Sequence, residues 1–203
     1  MPVYAAQEAV LQLAVFALSA ALSPGGATTL ATASGARFGF RRSLPFVIGV
    51  AAGMASLTGT AALGLASVLL ALPSMQLALK LLGSLYLVWL AWRIGSAGAP
   101  ALDTGMARPI GFLGSLGLLW LNPKGWVVAL GAAASFSSVA AGPWQLATLI
   151  AVAFGLAALL SMALWCYAGL VFARLLKTDL HWRLANGTLG LLLAGSVIQI
   201  WLE

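Results

Sequence analysis

Long apolar stretches separated by short polar or turn-forming segments run through the whole chain. Six such stretches lie at roughly 8–33, 44–71, 75–94, 109–135, 143–172 and 183–202. Each approaches or exceeds the about 20 apolar residues a helix needs to cross a bilayer. Backbone groups in hydrocarbon must be satisfied within the segment itself, which helices achieve. The pattern therefore predicts an all-α membrane protein of six transmembrane helices. The intervening segments are Gly35 to Arg42, Leu72-Pro73-Ser74, Gly95 to Arg108, Ala141-Gly142-Pro143 and Arg174 to Arg183. No shift in composition marks a second domain, so residues 1–203 are read as a single integral membrane domain. The start, Met1-Pro2-Val3-Tyr4, lacks a basic n-region, and the first apolar run outlasts a signal peptide. It reads as a retained helix.

Composition supports this. Hydrophobic residues make up 62% of the chain and charged residues only 7%, against roughly 25% charged in soluble domains. So little charge cannot cover a water-facing surface. The net charge of +6 forms no basic face of the kind nucleic acid requires. It sorts instead by connector. Arg37, Arg41 and Arg42 sit in the first, Arg93 and Arg108 in or beside the third, and Arg174, Lys177 and Arg183 in the fifth; the second and fourth hold none. Positive residues gather on the cytoplasmic side, so both termini are expected outside, in a bacterial inner membrane.

Two proline-containing tetrapeptides interrupt apolar spans, where proline removes a backbone hydrogen bond and breaks or kinks a helix. They are Ser23-Pro24-Gly25-Gly26 in span one and Asn122-Pro123-Lys124-Gly125 in span four. Three spans per half is an odd number, so the second half (about 105–203) is expected to be inverted relative to the first (about 1–100). The breaks would then meet near the bilayer middle. Interrupted helices at matching positions of inverted halves point to a transporter's binding site. Ser and Asn suit an N-cap, and proline suits the first helical position, so each tetrapeptide reads as the start of a fresh half-helix. Its N–H groups and dipole would favour an anionic group such as a carboxylate. Gly25, Gly26 and Gly125 would let a ligand approach the backbone.

Lys124 adds to this reading. A lysine near mid-membrane costs about 2.5–3.5 kcal/mol or more, and no intramembrane Asp or Glu is available to pair with it. An anionic substrate group or a carbonyl-lined aqueous cavity would accommodate it. Lys80, near the outer end of span three, either lines the pathway or snorkels to the headgroups. Most tryptophans lie near span ends and read as interfacial anchors, although Trp120 and Trp126 flank the second break. Cys166 reads as a packing residue. His181 has no second ligand nearby, so no metal site and no cofactor are expected. The small-residue face through Gly49, Gly53 and Gly59 reads as packing within the monomer, and is also compatible with a homo-oligomer.

These motifs resemble the lysine exporter (LysE/RhtB) superfamily of amino-acid exporters over nearly the whole chain. Ser23-Pro24-Gly25-Gly26 is similar to that family's Ser-Pro-Gly-Pro, with Gly26 replacing its second proline. Gly35, Gly39, Gly49 and Gly53 match a glycine-rich second helix. Lys80, Gly83, Tyr86 and Leu87 match a Lys-x-x-Gly-x-x-Tyr-Leu pattern, and Asn122-Pro123-Lys124 is the most specific piece. The family's Pro-Gln-Phe is replaced by Ala134-Ser135-Phe136. The resemblance implies efflux of amino acids driven by the proton gradient. A neutral amino acid is the favoured substrate, because the spans lack the acids that would hold a strongly cationic one.

Other classes fit less well. Cation or metal efflux wants thiolate, imidazole or carboxylate ligands that the spans lack. A thiol-disulfide carrier needs two cysteines. A structural membrane protein needs neither mirrored breaks nor a midplane lysine. A membrane enzyme would need a His, Cys or acid cluster, and no nucleotide-binding motif is present.

Overall fold

A computed structural model describes residues 3–65, 73–96, 108–175 and 178–202. All regular structure among them is helical. In chain order the helices are α1 (Val3–Leu22), α2 (Gly26–Phe38), α3 (Phe40–Thr60, continued by a π turn at Ala61–Leu65), α4 (Pro73–Gly95), α5 (Phe112–Trp120), α6 (Pro123–Ser135), α7 (Pro143–Leu175) and α8 (Asp179–Leu202).

Phe46, Phe154, Leu57 and Ile150 pack the interior beside the fully buried hydroxyls of Ser43, Thr58 and Ser115. Trp92, Leu113 and Leu191 point outward and are each about three-quarters exposed or more. An apolar surface of this extent belongs in lipid. The buried hydroxyls return to their own helices: Thr58 Oγ1 donates to the Met54 carbonyl at 2.9 Å and Ser115 Oγ to the Gly111 carbonyl at 3.1 Å. No buried polar group is added to the lipid-facing surface by them.

Glycines set how closely the helices approach. A Cβ on Gly35 would coincide with the backbone of Cys166, and one on Gly169 with the backbone of Thr32. Helices α2 and α7 therefore cross with main chain against main chain. Gly49 faces Ser115 and Phe112 on α5, Gly53 faces Leu116 and Leu119, and Gly59 faces Ala151 on α7. The small-residue face of α3 is covered within the chain.

Contact registers give the relative directions of the helices. Phe16 packs edge-on against Phe154, and Ser161 Oγ donates to the Ala21 carbonyl at 2.7 Å. Numbers rise together along both helices, so α1 and α7 run parallel. The pairs Gly49–Ser115 and Gly53–Leu119 make α3 and α5 parallel. Gly59–Ala151 and Ala55–Gly155 make α3 and α7 antiparallel, as Ala91–Gly190 and Gly95–Asn186 do for α4 and α8. It follows that α1 runs opposite to α5.

Among the described residues, Phe40–Gly64 and Pro143–Leu175 are long and apolar enough to cross a bilayer alone. The pair Gln7–Leu22 and Gly26–Phe38, bent by 61°, makes a third if it forms one span. The segment Gly35 to Arg42, expected as a connector, is helical except at Gly39, whose φ of 78° gives the turn its left-handed residue. Part of the second connector, most of the third and Lys177 in the fifth lie outside the described residues.

Candidate functional site

Both breaks form where the sequence places them, but they do different things. At the second, Leu121 and Asn122 leave the helix, and Asn122 adopts an extended conformation. Its Oδ1 accepts from Lys124 N at 3.1 Å, and Pro123 occupies the first position of α6. This is the N-cap that the residue types predict. On the other side, Trp126 Nε1 donates to the Trp120 carbonyl at 2.7 Å, and Trp120 Nε1 donates to Ser56 Oγ at 3.1 Å. The two rings meet edge to face at 5.6 Å. In a continuous helix the Trp120 carbonyl would accept from Lys124 N. The Trp126 indole takes that place, so the tryptophans brace the break and do not line the cavity beside it.

The first break departs from the expected reading. Ser23 N still donates to the Ser19 carbonyl at 3.1 Å, which makes Ser23 the end of α1 and not the cap of α2. Pro24 disfavours helical geometry at the residue before it, and the new helix begins only at Gly26. Thr28 performs the capping: its Oγ1 accepts from Gly25 N at 2.8 Å and donates to the Gly25 carbonyl at 2.9 Å. The first break thus presents the cavity with the acceptor end of a helix.

Lys124 reaches across to that end. Its Nζ lies 3.0 Å from Ser23 Oγ, 3.3 Å from the Ser23 carbonyl and 3.2 Å from the Pro24 carbonyl. Of the two partners expected for it, an anionic group or the carbonyls of a cavity, it meets carbonyls, those of the other break. Carbonyls at a helix C-terminus carry partial negative charge, which explains why an ammonium settles there.

The two breaks enclose a cavity of about 60 Å³, lined by Ser23, Gly25, Gly26, Asn122, Lys124 and Gly125 from the tetrapeptides. At that size it has room for a few water molecules. Thr28, Val50, Met54, Ala158 and Met162 complete much of the wall. Of these, sequence reasoning had no signal for the residues on α3 and α7, because small and apolar residues in a span look alike whichever way they face. Pro24 and Pro123 shape the breaks without lining the cavity. Two of the glycines serve packing as well as access. A Cβ on Gly26 would press on Leu87 and Leu193 at 3.1 and 3.2 Å, and one on Gly125 on Leu57 at 3.1 Å. Gly25 is the one whose missing side chain leaves space beside Lys124 Nζ, at 3.3 Å. Lys80 falls within α4, and its side chain lies outside the described residues.

Comparison with known proteins identifies the family. The model of the LysE type translocator family matches residues 18–200. A cysteine/O-acetylserine efflux protein of Klebsiella pneumoniae is 34% identical over 191 residues, covering 93% of this chain and 94% of the relative. Proteins of the same name from Escherichia coli and Salmonella choleraesuis are 30% identical over 189 and 190 residues, covering 92% of this chain and 94% of each relative. No solved structure matches.

Proposed function

Because the chain belongs to the LysE type translocator family, and is thus a transporter and not an enzyme, we propose that it exports a small neutral amino acid of the cysteine or O-acetylserine kind from the cytoplasm. The family and the apolar helices make it a multi-pass protein of the bacterial inner membrane. The proposed arrangement is six spans in two inverted halves with both termini outside, forming one integral membrane domain over residues 1–203. Opposite directions of α1 and α5, and antiparallel α4 and α8, support that alternation. Helices α4 and α8, with 23 and 24 residues, would each span about 35 Å.

The observation that carries the reading is the reach of Lys124, from the head of α6 to the oxygens that end α1, in a cavity lined by both breaks. The N-terminus of α6 and the lysine ammonium would receive the substrate carboxylate. A cation is disfavoured in a chamber whose titratable lining, among the described residues, is a lysine. The proton gradient is the proposed energy source, as the family resemblance implies.

Proteoliposomes loaded with a mixed amino-acid pool test this directly. Under an imposed inward proton gradient, cysteine and O-acetylserine should leave faster than from empty liposomes, while lysine and arginine stay. Equal loss of every amino acid, or none, would overturn the proposal. Loss unaffected by collapse of the gradient would remove the proton from it.

A further inference from the structure

We propose that Ser23 Oγ and the carbonyls of Ser23 and Pro24 form the substrate's ammonium subsite, and that the Lys124 ammonium is a tethered placeholder in it. The inference rests on the export reading above and names how that site selects its substrate class.

The geometry is that of an occupied ammonium site. Lys124 Nζ carries three donors, and three oxygens lie at 3.0, 3.2 and 3.3 Å. Two of them are main-chain carbonyls, which no side-chain rotation can withdraw. The α-ammonium of an amino acid offers the same three donors and the same charge, so it competes for these oxygens with the lysine. Lys124 and Ser23 both line the cavity together with Gly25 and Asn122. An incoming ligand therefore meets the placeholder on entry.

Displacement is favourable only for a zwitterion. When its ammonium takes the three oxygens, its carboxylate gives the released lysine a new partner beside the N-terminus of α6. Every charge stays paired, and the cavity's net charge does not change. An amine without a carboxylate would leave two cations close together in one confined chamber, and like charges at such range repel. A carboxylate without an amine would draw the lysine away and put no cation in its place on the carbonyls of Ser23 and Pro24. The side chain of the amino acid takes no part in this exchange. It is free to be small and neutral against Met54 and Met162, which can adapt to its shape.

The account makes an amine-gain prediction that a purely structural lysine would not. Purified protein in micelles, with reductant present, would be titrated with cysteine and with cysteamine, its decarboxylated counterpart, and binding read from the shift in unfolding temperature. Wild type should bind cysteine and ignore cysteamine. Lys124→Met keeps the length and the apolar stem of the lysine but removes the placeholder. It should gain cysteamine affinity by about tenfold or more and lose cysteine affinity by a similar factor. Lys124→Gln, with a neutral donor in place of the ammonium, should shift both in the same directions by less, and it serves if the methionine variant does not fold. Cysteamine binding that stays absent or weakens in both variants would overturn the proposal. If wild type neither binds nor exports cysteine, the export reading fails. A cysteamine gain in the variants would still establish the oxygens as an ammonium site, so the two failures are distinguishable.

Discussion

At the scale of single residues, each break is set by the side chain that caps the helix after it, Asn122 for α6 and Thr28 for α2. Asn122 and Pro123 follow the preference of helix starts for Asn at the cap and Pro just inside it, and the structure places both accordingly. Ser23-Pro24 carries the same signature, yet Ser23 ends a helix. The deciding residue is Thr28, whose hydroxyl bonds Gly25 on both its N–H and its carbonyl and so starts α2 two residues later. A cap supplied from inside the helix to a glycine leaves little trace in the order of residues. The same shift hides the partner of Lys124, since main-chain oxygens appear in no inventory of charged side chains. The cap of α6 can be tested by itself. Asn122→Ala should lower unfolding stability in micelles by about 1 kcal/mol, and Asn122→Ser should restore most of it. An alanine variant as stable as wild type would mean that Pro123 and the tryptophan brace alone hold the break.

At the scale of helices, lengths and order follow from the apolar runs, while their ends and crossings do not. Gly35 to Arg42 looks like a connector because glycine and arginine punctuate it. The helix nevertheless runs to Phe38, turns at Gly39 and resumes, with Ser34 and Ser43 joined by a buried hydroxyl pair at 2.7 Å. What the glycines do is visible only in three dimensions. Gly35 and Gly169 bring α2 and α7 into main-chain contact, whereas Gly131 on α6 has nothing near the position of a Cβ. Gly35→Ala or Gly169→Ala should each destabilise the fold by about 1–3 kcal/mol or more, as overpacking does. Gly131→Ala should be neutral, or stabilising by up to about 1 kcal/mol through helix propensity. Thermal unfolding of the three variants checks this, and equal effects at all three positions would remove the close crossing from the account.

At the scale of the whole molecule, the charge pattern carries the most information, because the sorting of arginine and lysine by connector is a property of the entire chain. It sets an expected orientation that contact registers complement by fixing which helices run together and which oppose. Cys166, the chain's one cysteine, is fully buried, so cysteines introduced elsewhere report cleanly in a Cys166→Ala background. A membrane-impermeant thiol reagent on intact cells should label Ala141→Cys and spare Arg42→Cys. The reverse pattern would invert the proposed orientation. What the sequence could not reveal is the wall that α3 and α7 contribute to the cavity, for an apolar residue facing lipid and one facing a chamber are the same residue. The central claim is that the solute binds where the two breaks meet. It is tested most directly by substrate protection of Val128→Cys, a half-buried position on α6 that lines the cavity, again with Cys166→Ala. O-acetylserine should slow its reaction with a small methanethiosulfonate reagent in a concentration-dependent way, while leaving a cysteine at exposed Ala141, in the turn before α7, unaffected. Labelling of Val128→Cys that O-acetylserine, cysteine analogues and other amino acids all leave unchanged would contradict the account and place the substrate elsewhere.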